Sequence, residues 1–351
     1  MTDDRKKTKT VTVGGKLLGG GHDILIQSML NTSSHDIDAC VKQAKALEQA
    51  GCEIVRVTIP DREAVAVIPQ LKEAVSIPLV ADIHFDYRLA IESAYAGIDK
   101  IRINPGNIGD EDRVRQVAEV CREKKIPIRI GVNSGSLEKH ILEKYQKPTA
   151  DALCESALYH VSLLNRWDFD DIVVSIKSSN VDTMVRAYRK MTELCDYPLH
   201  LGVTEAGTER MGLIKSSIGI GSLLLDGIGD TIRVSLTADP VREIEAAKDI
   251  LKAVGLSKGG VEIISCPTCG RTRVDLISLA HQVEDALRSC DKRLTVAVMG
   301  CAVNGPGEAR EADIGVACGD GCGLLFKKGT IIKKVSESEI LGALLQEIDA
   351  M

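Results

Sequence analysis

The chain has 351 residues, 44% hydrophobic, 27% charged and 3% aromatic, with a formal net charge of −6. That length exceeds what one hydrophobic core usually fills, so a large domain with a smaller companion is expected, and the ordinary composition excludes a disordered chain. The acidic balance, with a pI near 5.7, excludes a general nucleic-acid or anionic-membrane surface, so any anion site must be local.

The opening stretch MTDDRKKTKTVTVGG is polar and too poor in apolar residues for a signal peptide, and no later run could cross a bilayer. A cytoplasmic protein without membrane contact is expected. From residue 24 to residue 237 one cycle recurs: a short apolar segment, a polar loop, a helical pattern. The segments are Ile24–Gln27, Ile54–Thr58, Pro78–Asp82, Lys100–Asn104, Ile128–Val132, Ile172–Ser175, Leu199–Val203 and Thr231–Ser235, each too short for a helix. Between them, 36–50 places Ile37, Val41, Ala44 and Leu47 on one helical face before Gly51, and 239–254 opens with Asp-Pro and stops at Gly255. Eight such cycles over roughly 250 residues match a closed (β/α)8 TIM barrel, placed at 1–255. The alternative, an open doubly wound sheet, lacks a strand followed by G-x-G-x-x-G. Ser-Lys-Gly-Gly lies in a join at 256–260, and a smaller α/β domain is expected over 261–351. Its strands are read at Val261–Ser265 and Leu294–Met299, and its helices at Val274–Arg288 and Ser336–Ile348.

Barrel strands, covered on both sides, should read as unbroken apolar runs. Four carry an arginine instead: Arg56, Arg102, Arg129 and Arg233. Arginine cannot shed its charge and is rarely buried unpaired. Singly, each could pair with a strand-end carboxylate such as Asp82; together, at the C-terminal mouth, they point to a ligand phosphate gripped by guanidinium forks. Lys177, Asn104 and Asn133 at other strand ends add donors. Glu205, among apolar and small residues after the seventh strand, is the leading acid–base candidate, with a solvated loop carboxylate as the alternative; Asp82 and His84 come second.

Eleven cysteines in a reducing compartment cannot be assumed to form disulfides. Cys40, Cys121, Cys154 and Cys195 fall in helix-like stretches and read as small buried hydrophobes. Cys266-Pro-Thr-Cys269-Gly-Arg and Met299-Gly-Cys301 each end a strand, and three thiolates amid glycine and proline favour an iron–sulfur cluster. Zinc held by Cys266, Cys269, Cys318 and Cys322 stays open as the rival set. A thioredoxin-like pair fits less well, because the C-x-x-C does not open a helix. The residues alone thus allow a reductive iron–sulfur enzyme, a redox-free barrel enzyme with a structural zinc domain, or a zinc-ribbon interaction module.

Longer motifs separate these readings. Ala81-Asp-Ile-His-Phe85, Lys100-Ile-Arg-Ile-Asn-Pro-Gly-Asn107, Arg129-Ile-Gly-Val-Asn-Ser-Gly-Ser136, Leu201-Gly-Val-Thr-Glu-Ala-Gly207, the two cysteine motifs running to Glu308, and Leu-Leu-Phe-Lys-Lys-Gly at 324–329 span the chain. In these the chain resembles the bacterial, two-domain 4-hydroxy-3-methylbut-2-enyl diphosphate synthases of the non-mevalonate isoprenoid route. The resemblance implies a TIM barrel followed by a cluster domain of sulfite-reductase type. It implies a head-to-tail homodimer in which one subunit's cluster domain closes over the other's barrel mouth. It also implies reduction of 2-C-methyl-D-erythritol 2,4-cyclodiphosphate, with flavodoxin or ferredoxin as electron donor. By the same resemblance Cys266, Cys269 and Cys301 hold a [4Fe–4S] cluster with Glu308 as the fourth ligand, and Glu205 and Glu308 serve catalysis. Arg56, Asp82, His84, Arg102, Asn104, Arg129, Asn133, Lys177, Arg233, Ser235 and Asn304 bind substrate. Cys318 and Cys322 depart from this pattern, standing where small residues are expected.

Overall fold

A computed structural model describes residues 5–104, 107–288, 290–301 and 309–351. Asn304 and Glu308 lie outside these described residues. The chain divides into two units, Met1–Leu256 and Ser257–Met351.

The first unit opens with a hairpin that the sequence reading did not foresee: β1 (Thr10–Val13) antiparallel to β2 (Lys16–Gly19). Gly14 and Gly15 join them at φ 52° and 85°, the left-handed pair that a tight hairpin turn requires. The barrel strands follow: β3 (Leu25–Met29), β4 (Ile54–Thr58), β5 (Leu79–Asp82), β6 (Lys100–Ile103), β7 (Ile128–Asn133), β8 (Ile172–Lys177), β9 (His200–Leu201) and β10 (Thr231–Ile232). All neighbours pair in parallel, in the order β8-β7-β6-β5-β4-β3-β10-β9. A parallel bridge from Val174 to Leu199 closes the ring between β8 and β9. The expected TIM barrel is therefore present.

Nine helices among the described residues cover this ring: α1 (Ile37–Gln49), α2 (Val67–Ala74), α3 (Tyr87–Tyr95), α4 (Glu111–Lys124), α5 (Lys139–Tyr145), α6 (Ala150–Asn165), α7 (Val181–Leu194), α8 (Glu209–Leu225) and α9 (Pro240–Ala253). The Asp36 carboxylate caps α1 by accepting from the Ala39 N–H at 3.0 Å, and Gly51 stops it at φ 91°. Asp239 caps α9 in the same manner, ahead of the proline at its first position.

Period-two alternation sorts each strand. Ile101, Ile103, Ile128, Ile130, Leu201 and Val203 belong to the outer core against the helices, which turns Lys100, Arg102, Arg129, His200 and Gly202 into the barrel. At the strand N-termini the interior is apolar: Leu25, Ile54, Val80 and Val173 pack on Val11, Val13 and Leu18 of the hairpin. The hairpin is a floor, and above it the interior is mostly polar or charged, with Met29 Sδ accepting from Arg56 Nε at 3.1 Å.

The second unit is a five-stranded sheet, β11 (Val261–Ser265), β12 (Leu294–Met299), β13 (Ile314–Gly319), β14 (Cys322–Lys327) and β15 (Thr330–Ser336), in sequential order. The first three strands run parallel and the last two form antiparallel pairs. Helices α10 (Leu276–Leu287) and α11 (Ile340–Asp349) pack on one face through Leu276, Val283, Ile340 and Leu344. The helix expected from Ser336 begins at Ile340, because Ser336 ends β15 and a short 3-10 turn at Glu337–Glu339 intervenes. No helix among the described residues is long and apolar enough to cross a membrane.

Candidate active site

Asp82, buried at the end of β5, organises the barrel mouth. Arg102 Nη1 donates to its Oδ1 at 3.0 Å, Arg56 Nε lies 3.7 Å from its Oδ2, and His84 Nε2 lies 3.7 Å from the same oxygen. Burial pushes the Asp82 carboxyl up, but Arg56, Arg102, His84 and Arg129 outweigh it and hold the group well below the usual carboxylate range. Strand-end pairing is therefore met for Arg56 and Arg102. It is not met for Arg129, which is 0% exposed and has no hydrogen-bond partner on Nε, Nη1 or Nη2 among the described residues. Gly131 makes room here, since a Cβ at that position would come 2.6 Å from Arg102 Nε.

Arg233 reaches Glu243 of α9 at 3.8 Å and, with Lys177 and Ser235, lines a small pocket. Ser175, His200, Gly202, Val203 and Thr204 complete its wall. Sequence reasoning passed over His200 and Ser175, although their alternation with Leu199, Leu201 and Val174 already turns them inward. His200 is buried and shares a 2.8 Å hydrogen bond between its Nδ1 and Thr231 Oγ1. Gly202 lets the neighbouring strand approach, because a Cβ there would meet the Arg233 carbonyl oxygen at 2.8 Å.

Asn104 is buried and donates from Nδ2 to Ser136 Oγ at 3.2 Å. The loop carrying Ser136 and Asn133 is fixed by the Ser136 N–H on the Asn133 carbonyl and the Ser134 N–H on the Lys177 carbonyl, both at 3.1 Å. The ends of β6, β7 and β8 are thus tied together. Glu205 differs from expectation. Its side chain is exposed, so the apolar enclosure on which the acid–base reading leaned is not supplied by the described barrel residues. Its backbone sits at φ 50°, a left-handed conformation that a non-glycine residue adopts at a cost and that concentrates at functional sites. Two bonds from Thr237 to the Gly207 carbonyl, N–H at 3.3 Å and Oγ1 at 3.2 Å, hold this loop against the next strand's loop.

In the second unit, β11 and β12 are parallel neighbours, so Cys266 and Cys301 emerge at the same sheet end. The Gly300 N–H donates to Cys266 Sγ at 3.2 Å, the Arg273 N–H to the Gly300 carbonyl at 3.1 Å, and the Thr272 N–H to the Cys269 carbonyl at 3.0 Å. Cys269 is exposed, and the backbone N–H of Arg271, ahead of the Arg271 side chain, lowers its thiol below the ordinary value. Among the described residues no three His, Cys, Asp or Glu side chains stand close enough to hold a metal ion. Neither the Cys266, Cys269 and Cys301 trio nor the rival zinc quartet is gathered there. Cys318 is core: it is buried beneath the helices, and burial pushes its thiol up to about 11. Cys40, Cys121 and Cys154 are buried helix residues as expected, whereas Cys195 is half-buried, in extended backbone just after α7.

Residues 8–248 match the GcpE TIM-barrel domain, and residues 262–350 match the GcpE protein C-terminal domain. The chain belongs to the GcpE family. Curated relatives, two of which follow, bear the name 4-hydroxy-3-methylbut-2-en-1-yl diphosphate synthase (flavodoxin). The Fusobacterium nucleatum protein is 62% identical over 98% of this chain and 97% of its own length. That of Clostridium perfringens is 58% identical over 99% and 100%. Among solved structures the dihydropteroate synthase of Yersinia pestis aligns at a TM-score of 0.50 and 15% identity, over 70% of this chain and 98% of its own, a likeness of fold alone.

Proposed function

We propose that this GcpE-family chain catalyses the two-electron reductive ring opening and dehydroxylation of 2-C-methyl-D-erythritol 2,4-cyclodiphosphate to 4-hydroxy-3-methylbut-2-enyl diphosphate, a step of isoprenoid biosynthesis, in the cytoplasm. The conversion takes up two electrons and two protons and releases one water. One observation carries the reading: Arg56, Arg102, Arg129, Lys177 and Arg233 face into the barrel against only Asp82 and Glu243 among the described residues. A bound diphosphate supplies the missing negative charge, and guanidinium forks suit its oxygens.

Cys266, Cys269, Cys301 and Glu308 would hold a [4Fe–4S] cluster. The donor chemistry fits, with soft thiols at adjacent strand ends and a backbone N–H already directed at the Cys266 sulfur. When bound, that cluster supplies electrons and an iron Lewis acid, recharged by flavodoxin, the carrier in the relatives' names, or by ferredoxin. The active assembly is a head-to-tail homodimer.

Arg56, Arg102, Arg129, Lys177 and Arg233 hold the diphosphate, Asp82 aims two of the forks, and His84, Asn104, Asn133, Ser235 and Asn304 orient the ring and its hydroxyls. Glu205 hands a proton to the departing hydroxyl. Glu205→Gln should lower turnover by roughly 10²- to 10⁴-fold while iron content and pyrophosphate binding hold. Glu205→Gly should lose as much turnover yet raise barrel stability by up to about 1 kcal/mol, because glycine relieves the left-handed backbone. Near-wild-type turnover of the glutamine variant sinks the assignment.

A further inference from the structure

Below the mouth, the barrel interior holds two titratable groups that no step above uses, Lys100 and His200. Lys100 is 0% exposed, and its Nζ has no hydrogen-bond partner among the described residues. His200 is anchored to Thr231 and opens onto the same pocket as Lys177 and Arg233. What faces them is overwhelmingly positive. Arg56 enters from β4, Arg102 from β6, Arg129 from β7, Lys177 from the end of β8 and Arg233 from just after β10. The counter-charges are Asp82, committed to Arg56 and Arg102 with His84 beside it, and Glu243, reaching Arg233 from α9. From below, the hairpin offers only Val11, Val13 and Leu18.

A buried amine among guanidinium groups, with no acceptor among the described residues, has every reason to stay neutral until negative charge enters. We propose that a diphosphate entering this barrel carries protons in with it, and that Lys100 and His200 take them up. The proposal rests on the diphosphate reading of the barrel and deepens it. The electrostatics agree in direction. Burial, then Arg129 and Arg56, drives the Lys100 amine well below its ordinary value. Burial, then Arg129, Lys100, Lys177 and Arg56, does the same to His200. A dianionic or more highly charged ligand reverses the like-charge part of that push, so both groups gain proton affinity as the ligand binds. Binding coupled to proton uptake weakens as pH rises, so affinity for diphosphate falls toward alkaline pH. Since the overall conversion consumes protons, the site would be loaded with part of what it spends.

The test is calorimetry of inorganic pyrophosphate binding to the full-length protein, in several buffers of different ionisation enthalpy at one pH. The slope of observed enthalpy against buffer enthalpy counts protons. Lys100→Met is the first variant, because replacing an amine without a bond partner by an isosteric apolar chain removes no hydrogen bond; His200→Asn, which can keep the bond to Thr231, is the second. Proton exchange by pyrophosphate itself is common to all three proteins and drops out of the comparison. Wild type should take up about one proton more per ligand than Lys100→Met, with a smaller deficit in His200→Asn, and its affinity should fall more steeply with pH. Binding with equal slopes in all three overturns the proton-uptake proposal and leaves the diphosphate reading standing. No pyrophosphate binding to wild type overturns both.

Discussion

Asp82→Asn is expected to destabilise the ligand-free barrel by roughly 3–5 kcal/mol, the cost of removing one partner from a buried charge network. The carboxylate is buried and shared by Arg56 and Arg102, with His84 near and Arg129 within its field. Asparagine keeps the shape but leaves those guanidinium groups without their counter-ion. Pyrophosphate should recover much of the loss, since a ligand at a hundred times its dissociation constant adds about 2.7 kcal/mol to the folded state. Thermal unfolding of wild type and variant, with and without pyrophosphate, reads both effects. Acid should mimic the substitution. The folded-state value of Asp82 lies below its unfolded value, so its contribution is complete above the unfolded value and fades as pH falls from about 4 toward the folded one. Equal melting temperatures of the two ligand-free proteins would show that Asp82 is not the keystone of the mouth.

Cys301→Ser should cost most of the iron and at least ~100-fold in turnover, while leaving barrel melting and pyrophosphate binding unchanged. A hydroxyl replaces a soft thiolate at a strand end where Cys266 already accepts from the Gly300 N–H. The informative partners are Cys318→Ala and Cys322→Ala. Cys318 lies in the core under the helices, so its loss should lower stability by about 1 kcal/mol and leave iron in place. Iron loss in either of these variants would move the fourth ligand from Glu308 to the β13–β14 hairpin. Iron content, visible absorption and melting curves of the three variants decide between these outcomes.

The barrel strands were legible because both of their faces are covered. Runs such as Ile-Val-Arg-Val-Thr at 54–58 have few other uses, and an arginine inside one is conspicuous. The same logic located Arg56, Arg102, Arg129 and Arg233, and the mouth residue Asp82. The floor was not legible. Thr-Val-Thr-Val-Gly-Gly-Lys-Leu-Leu carries a hairpin's alternation and turn, but four-residue strands give too short a period to stand out. Lys100 reads merely as a strand start, because a lysine at a strand edge is usually solvated; closure of the barrel around it leaves it buried, with no partner on its Nζ among the described residues. Strands β13 to β15 escaped for a different reason. Cys318 and Cys322 suit the rival zinc set, whereas the chain there makes a tight antiparallel pair in which Cys318 shares the core face with Ile314 and Val316. Exposure of Glu205 depends on how a loop at φ 50° turns, and no local pattern reports that.

Anaerobic purification followed by one assay tests the central claim, that a cationic barrel presents a cyclic diphosphate for reduction. The full-length protein should carry about four irons and four sulfides per chain. Reduced methyl viologen should be oxidised only after 2-C-methyl-D-erythritol 2,4-cyclodiphosphate is added, with two electrons consumed for each linear diphosphate formed. A colourless, zinc-bearing protein that leaves the dye reduced in the presence of that substrate would contradict it.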